Sequence, residues 1–469
     1  MLPKGIYQKI FITVFILIAL HVAPDGAQTA RYTDAIQSLV DFGTFTLQPG
    51  YRSHIDIVQF KEHFYAVIPP GVPIILSPLY FIYRNLMRLI GVPVTEYYWA
   101  VFNMLSNIVI TAPLLGFVAV IMFKTLNMFT GDLIKKIWLV FTFIFGSLVF
   151  FYSTNGIWSH AYTMSFLFIA FYLIIKQKNS FLIGLCLGMA QIFDYVAILP
   201  VFLLLGFWLY SNFKNKTKNI VQQAILIMLG YTIFLSIIFS YNYSITGSIF
   251  ETPNSLYFKQ LQQTQASQLL TKKFFSLPTF ERLWGLTFSP YRGILLYFPM
   301  TFLFIISLLR TQSIKNNICK FSGIFVLGVL IYNSTYYAWS GDVCFGPRHL
   351  VVAIPFIIIP IAYCKIKYIK ILGALSILIN ISGVSTNPSD NLLVNLVQFI
   401  YKGPTLHWLD YVYKTILPRY FHINISLMTP FFIYLAAFLV IYIIWQPLIK
   451  EYQAKMLNSN RKLYDVNGF

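Results

Sequence analysis

Residues 24–47, PDGAQTARYTDAIQSLVDFGTFTL, and residues 62–78, EHFYAVIPPGVPIILSP, decide how this chain is to be read. The chain is 58% hydrophobic and only 10% charged, with a mean hydropathy of +0.69. Against that background the segment from Asp25 to Pro78 concentrates Asp25, Asp34, Asp41, His54, Asp56, Glu62 and His63. Tyr32, Ala35, Ile36, Leu39, Val40 and Gly43 recur at helical spacing, opposite Arg31, Asp34, Ser38 and Asp41. That pattern predicts a short amphipathic helix able to lie on a membrane surface, with Asp34 and Asp41 as solvated acids. The Pro-Pro-Gly-Val-Pro run at 69–73 then re-enters apolar sequence. A polar loop of this size, directly after a first hydrophobic segment, places chemistry at the water–lipid boundary.

The rest of the chain sets that loop in a membrane. Apolar runs occupy 8–24, 99–123, 135–153, 159–175, 180–193, 195–210, 220–242, 290–309, 321–338, 350–364, 370–384 and 425–446. Runs of about 15 to 25 residues are of bilayer-crossing length, so the expected fold is all-α and polytopic, with about twelve spans. Too few polar residues remain to cover a soluble surface. The formal net charge of +19 is unevenly placed. Seven clusters between alternate runs, such as Lys135 and Lys136, Lys214, Lys216 and Lys218, and Lys365, Lys367 and Lys370, hold 20 basic and 3 acidic residues, or +17. The remaining 14 basic and 12 acidic residues leave +2 on the other side. The excess of Lys and Arg assigns the clustered side and both termini to the cytoplasm. This distribution, rather than nucleic acid binding, accounts for the basic balance. Counting 71–90 as a span would turn every later lysine cluster outward, and Arg84 and Arg88 lie near its end. That segment is therefore expected to be re-entrant or interfacial.

The whole chain, 1–469, is expected to form a single integral membrane domain. Its polar residues are invested in outer loops, chiefly 25–98 and 243–289, while cytoplasmic loops are short. Lys4 and Lys9 precede the first apolar core, but Ala23-Pro24-Asp25 lacks a small-x-small cleavage pattern, so an uncleaved anchor is expected. The cysteines Cys186, Cys319, Cys344 and Cys364 are scattered. Only Cys344 falls in an outer loop, which predicts no outer disulfide.

Three further stretches carry chemistry. TFSPYRGILLYFP at 287–299 puts Arg292 at the mouth of an apolar run, where it either snorkels or meets an anion. YYAWSGDVCFGPRHL at 336–350 uses Gly341, Gly346 and Pro347 to present Asp342, Arg348 and His349 just above a span. The planar guanidinium of Arg348 suits a phosphate, and an ion pair with Asp342 is the alternative. Asp194-Tyr195 splits a 30-residue apolar run and marks at least a turn. Among the carboxylates, Asp25 emerges at the end of the first span, where a partly desolvated carboxylate can act as a general base; Asp56, in HIDIVQF, is next. His54, Asp56, Glu62 and His63 could gather around a divalent ion, but no spacing requires one, and no cofactor is expected. The chain has no phosphate-cradling glycine loop and no Ser/His/Asp signature, which argues against a nucleotide-driven pump.

In layout and in these segments the sequence resembles the GT-C superfamily of integral membrane glycosyltransferases, which use polyprenyl-phosphate-linked sugars. The carriers are ARYTDAIQSLVDFGTF, HFYAVIPPGVPIILSPLY, LTFSPYRGILLYFP and WSGDVCFGPRHLVVAIPF. The opening is similar to the branch of protein mannosyltransferases and lipid A aminoarabinose transferases, where an Asp-Glu-x-Arg-Tyr run supplies the catalytic aspartate and a Tyr-x-x-Lys-Pro-Pro run follows. Here Gln28 and Thr29 stand in the Asp-Glu positions, Asp25 matches after a three-residue shift, and Ile68 replaces the lysine. The resemblance implies inverting transfer from a polyprenyl-phosphate sugar to a glycan, lipid or protein acceptor on the outer face. Asp25 or Asp56 would be the base, and Arg31, His63, Tyr65, Arg292, Asp342, Arg348 and His349 would contact donor and phosphate. Membrane lipids are the other expected partners. A twelve-span transporter or lipid-linked oligosaccharide flippase is the main rival, although the central cytoplasmic loop, 211–219, is small for a two-halved transporter. An O-antigen polymerase or ligase is the second, and a purely structural membrane protein the third.

Overall fold

The computed structural model describes residues 3–24, 29–53, 55–264, 273–341, 344–386, 391–413 and 429–466. Among these residues the chain is all-α apart from one small hairpin. Its first helix, α1 (Ile6–Leu20), buries Ile6, Ile10, Val14 and Ile18, a four-residue repeat that marks one helical face. After it come α2 (Thr29–Phe42), the antiparallel strands β1 (Ile57–Phe60) and β2 (His63–Ala66), and α3 (Gly71–Leu89). α4 (Glu96–Ser106) continues through a π turn at Asn107–Thr111 into α5 (Ala112–Leu126). α6 (Leu133–Phe145) and α7 (Leu148–Thr154) are bent by 51° about Gly146 and Ser147. The series runs on through α8 (Ser159–Ile175), α9 (Ser180–Phe193), α10 (Ile198–Lys214) and α11 (Ile220–Thr246). α12 (Pro253–Thr264), α13 (Phe280–Thr287), α14 (Ile294–Tyr297), α15 (Met300–Leu308), α16 (Thr311–Lys315) and α17 (Asn317–Thr335) follow. A 3-10 turn at Arg348–Ala353 leads into α18 (Ile354–Ile361), and α19 (Ile366–Ser385), α20 (Leu392–Lys402), α21 (His407–Tyr411) and α22 (Thr429–Val466) complete the described chain.

Among the described residues, six helical segments are long and apolar enough to cross a membrane: Tyr97–Leu126, Tyr195–Lys214, Ile220–Thr246, Asn317–Thr335, Ile366–Ser385 and Pro430–Glu451. The bent pair α6–α7 makes a seventh if it counts as one span, and five further apolar helices are 10–17 residues long. α3 is not among the spanning helices. Of the apolar runs expected from the sequence, only 290–309 maps to none of these helices. The reason is Pro299, which pushes Phe298 out of the helical region (φ −140°, ψ 78°) and divides the run into α14 and α15. Asn380 of α19 repairs both breaks at once. Its Nδ2 donates to the carbonyls of Gly146 and Tyr297, each at 2.9 Å. α9 and α11 pack closely, since an added Cβ at Gly184 would stand 2.0 Å from the Ile227 carbonyl oxygen. Small residues at such crossings let backbones touch where the solvent, lipid, is as apolar as the side chains.

The first loop departs from the surface-helix expectation. α2 forms where the periodicity places it, but Arg31, Asp34 and Ser38 are 8%, 3% and 2% exposed, so the polar face is buried too. Asp34 is not a solvated acid. Arg52 donates to its Oδ1 through Nε and Nη2 at 3.0 and 2.8 Å, and the amides of Arg52 and Ser53 donate to Oδ2 at 2.9 and 2.8 Å. The Arg52 guanidinium also lies 3.9 Å from the Trp99 ring centre, which ties the loop to α4. Asp41 pairs with Arg84 of α3. The loop is a folded cap that the ion pairs of Asp34 and Asp41 help to hold together.

Candidate functional site

The end of the bundle that carries this cap contains a cavity of about 260 Å³. Arg31 and Tyr32 of α2, Val67 and Pro69 beyond β2, Ser159 and His160 at the start of α8, and Asp194 and Tyr195 between α9 and α10 line one part of it. Phe274 and Phe275, Tyr332 of α17 and Tyr336 just beyond it, and Arg348 with His349 close the other. A second cavity, of about 310 Å³, lies at the opposite ends of α8 and α10. It has Lys178 as its single ionisable group and no histidine or acid, so its lining offers no acid–base chemistry.

Local sequence explains each placement. Asp194 interrupts the apolar run because its carboxylate caps the following turn, accepting from the Val196 amide at 3.0 Å. Gln191 holds the same turn, donating to the carbonyls of Asp194 and Tyr195 at 3.5 and 3.1 Å. The other carboxylate oxygen of Asp194 lies 3.7 Å from His160 Nδ1. Arg348 stands at the start of the 3-10 turn, with its guanidinium carbon 5.6 Å from the Trp158 ring centre. Gly341, at φ +77°, leaves the room for it, because a Cβ there would sit 2.8 Å from Arg348 Nε. His349 meets the ring of His160 edge to face, centroids 5.5 Å apart and planes at 85°. Both His349 ring nitrogens are buried and have no hydrogen-bond partner among the described residues. Burial raises the phenols of Tyr336 and Tyr337, so both remain neutral at physiological pH.

The residues expected from sequence divide accordingly. Arg31, Arg348 and His349 come together at the cavity. Asp56 stands beside them through Arg31, whose Nη1 donates to its Oδ2 at 2.5 Å. Asp25 and Asp342 lie outside the described residues, as does His54. His63 and Tyr65 do not line the cavity. His63 is exposed beside the hairpin turn, and Tyr65 is 7% exposed in a cluster with Val58, Tyr241 and Ile245. Arg292 neither snorkels nor reaches the cavity. It is fully buried, donates from Nε to the Ser340 carbonyl at 2.7 Å, and stacks on Tyr291 at 4.0 Å. By holding Ser340 it fixes the turn against which Arg348 rests. Glu62 and His63 are exposed on the hairpin and do not form the divalent-ion cluster considered from sequence.

His160 is the residue that sequence reasoning passed over. The signal was Ser159-His160 after Gly156-Ile157-Trp158, polar residues at the head of an apolar run, in the same position as Arg348-His349 before Leu350.

No protein-family model matches the chain, and no curated protein matches it in sequence. Among solved structures it is similar to ArnT from Cupriavidus metallidurans bound to undecaprenyl phosphate. The TM-score is 0.46 at 11% identity, covering 88% of this chain and 72% of that one. The apo state of the same protein gives a TM-score of 0.43 at 12% identity, covering 88% and 71%. At this distance the likeness concerns the course of the helices and transfers no residue roles.

Proposed function

We propose that this chain is a membrane glycosyltransferase that moves a sugar from a polyprenyl-phosphate donor to a glycan, lipid or protein acceptor at the outer face. One observation carries the proposal: Arg31 and Arg348, far apart in the sequence, line one aromatic-walled cavity at the loop-bearing end of the bundle. A lipid phosphate stops at headgroup depth, where guanidiniums can hold it by charge-assisted hydrogen bonds. The sugar beyond it would stack on the phenylalanine and tyrosine rings. Asp25 is the proposed base, four residues before the start of α2 and six before Arg31. It would take the acceptor hydroxyl proton as that oxygen attacks the anomeric carbon. The bond from that carbon to the phosphate oxygen breaks, the configuration inverts, and polyprenyl phosphate departs with charge stabilised by Arg31 and Arg348. Asp56 acts in this scheme by orienting Arg31.

Mass spectrometry of lipid-linked sugars and surface glycans in a deletion strain tests the proposal. The expected result is accumulation of one polyprenyl-phosphate sugar together with loss of one surface modification. Loss of the same modification with the lipid-linked sugar confined to the cytoplasmic leaflet would favour a flippase instead, and unchanged glycans would overturn the proposal.

A further inference from the structure

We infer that His160, Asp194 and His349 form a binding site for a divalent transition-metal ion of the zinc type. Three separate elements bring them together: the first turn of α8, the cap between α9 and α10, and the 3-10 turn before α18. One ligand atom from each lies within 4.8 Å of the others, and His160 Nδ1 and Asp194 Oδ2 are 3.7 Å apart. Donor atoms around a tetrahedral zinc ion are about 3.3 Å apart, given bonds of about 2.0–2.1 Å. Side-chain rotation alone can supply the closure. Two imidazoles with one carboxylate form a donor set that zinc-type ions prefer over magnesium or calcium, which favour oxygen cages.

His349 provides an observation independent of spacing. Burying an imidazole without hydrogen-bond partners is costly, and both its ring nitrogens are in that state among the described residues. Its rings of contact, His160 at 5.5 Å and Tyr336 at 5.8 Å, are edge-to-face and leave the nitrogens unsatisfied. A metal ion gives one of them a partner. Arg348 faces the same cavity and opposes a bare dication, so the site favours a metal that also carries an anionic ligand on its open position. All three residues line the cavity, from which an exchangeable fourth ligand would reach the ion, as a three-ligand site requires. Asp194 then serves twice, capping the turn at Tyr195–Ala197 through one oxygen and binding the ion through the other.

The inference stands apart from the transfer reaction, because its test needs neither donor nor acceptor. The full-length protein in detergent, stripped with a chelator, is titrated with cobalt(II) and followed by visible absorption. The expected result is one equivalent per chain with the intense band of a four-coordinate site, displaced by one equivalent of zinc. His349→Ala and His160→Ala should each weaken cobalt binding at least about a hundredfold, beyond the range for losing a mere supporting contact. Asp194→Asn should do the same, while His407→Ala should bind as the wild type does. Melting temperatures in chelator, where no ion contributes, identify any variant that has failed to fold, and the two histidine variants check each other. Wild-type protein that shows no saturable cobalt band, or folded His349→Ala protein that binds cobalt as tightly as wild type, overturns the site.

Discussion

Arg31 Nη1 lies 2.5 Å from Asp56 Oδ2, and the pair joins the first turns of α2 to the residue that opens the hairpin. Asp56 holds a left-handed backbone, φ +55°, and its carbonyl accepts from the Val67 amide at 2.8 Å. An aspartate so engaged orients a cavity-lining guanidinium. Asp56→Asn should fold, since asparagine tolerates φ > 0 as well as aspartate does. It should raise the donor KM about tenfold through a misplaced Arg31, a typical size for a lost charge-assisted bond. Asp25→Asn should instead lower kcat at least about a hundredfold, the range for removing a general base. Steady-state kinetics of the two variants separate the roles. A collapsed kcat in Asp56→Asn with normal turnover in Asp25→Asn would exchange them.

Asp34 offers a stability prediction. Its carboxylate accepts from two backbone amides and from Arg52, and the residue is 3% exposed. Removing it strands a guanidinium and two amides, so Asp34→Ala should destabilise the protein by about 3–5 kcal/mol, as breaking a buried pair does. Arg52→Ala should cost less, because that side chain is 31% exposed. Melting curves in detergent check the order. Equal melting temperatures for Asp34→Ala and wild type would remove the folded-cap account of the first loop.

The helical layout was legible because apolar runs and Lys/Arg clusters are additive, local signals. Pro299 was equally visible as a residue, yet whether a proline kinks or divides a span depends on partners such as Asn380, which is distant in sequence. The amphipathic reading of α2 found the helix and misjudged its polar face. Periodicity separates polar from apolar residues, but cannot tell water from a buried cage such as Arg52 and Ser53. Arg348 and His349 were legible from the glycine and proline turn beneath them. His160 and Asp194 were not joined to them, because their proximity is created by the packing of α8 against the 3-10 turn and leaves no spacing in the sequence.

Sidedness rests on the charge partition, and it can be tested without any substrate. Gln48 lies in the first loop, at the end of the bundle that holds the cavity, and Lys216 lies between α10 and α11 at the other end. Cysteine placed at Gln48 should react with an impermeant maleimide in intact cells. Cysteine placed at Lys216 should react only after permeabilisation. The reverse pattern would place the cavity on the cytoplasmic side and remove the outer-face donor site.

Arg348 offers the sharpest separation between a binding role and a structural one. Its guanidinium rests against Gly341, within reach of the Trp158 ring, and faces the cavity. If it holds phosphate through two parallel hydrogen bonds, lysine keeps the charge but loses the fork. Arg348→Lys should therefore weaken donor binding about ten- to a hundredfold, and Arg348→Ala more, the loss matching about 1.5–3 kcal/mol for a charge-assisted contact. Gly341→Ala approaches the same group from the other side. Its added Cβ would stand 2.8 Å from Nε at a backbone φ of +77°, so it should displace the guanidinium and reproduce part of the Arg348→Lys defect. A role in pairing with Asp342 predicts a different pattern: either single alanine lowers the melting temperature, and the Asp342→Ala/Arg348→Ala double variant recovers part of it. Donor affinity and melting temperature measured across the set distinguish the two. Normal donor affinity in a well-folded Arg348→Ala protein would end the phosphate-holding role.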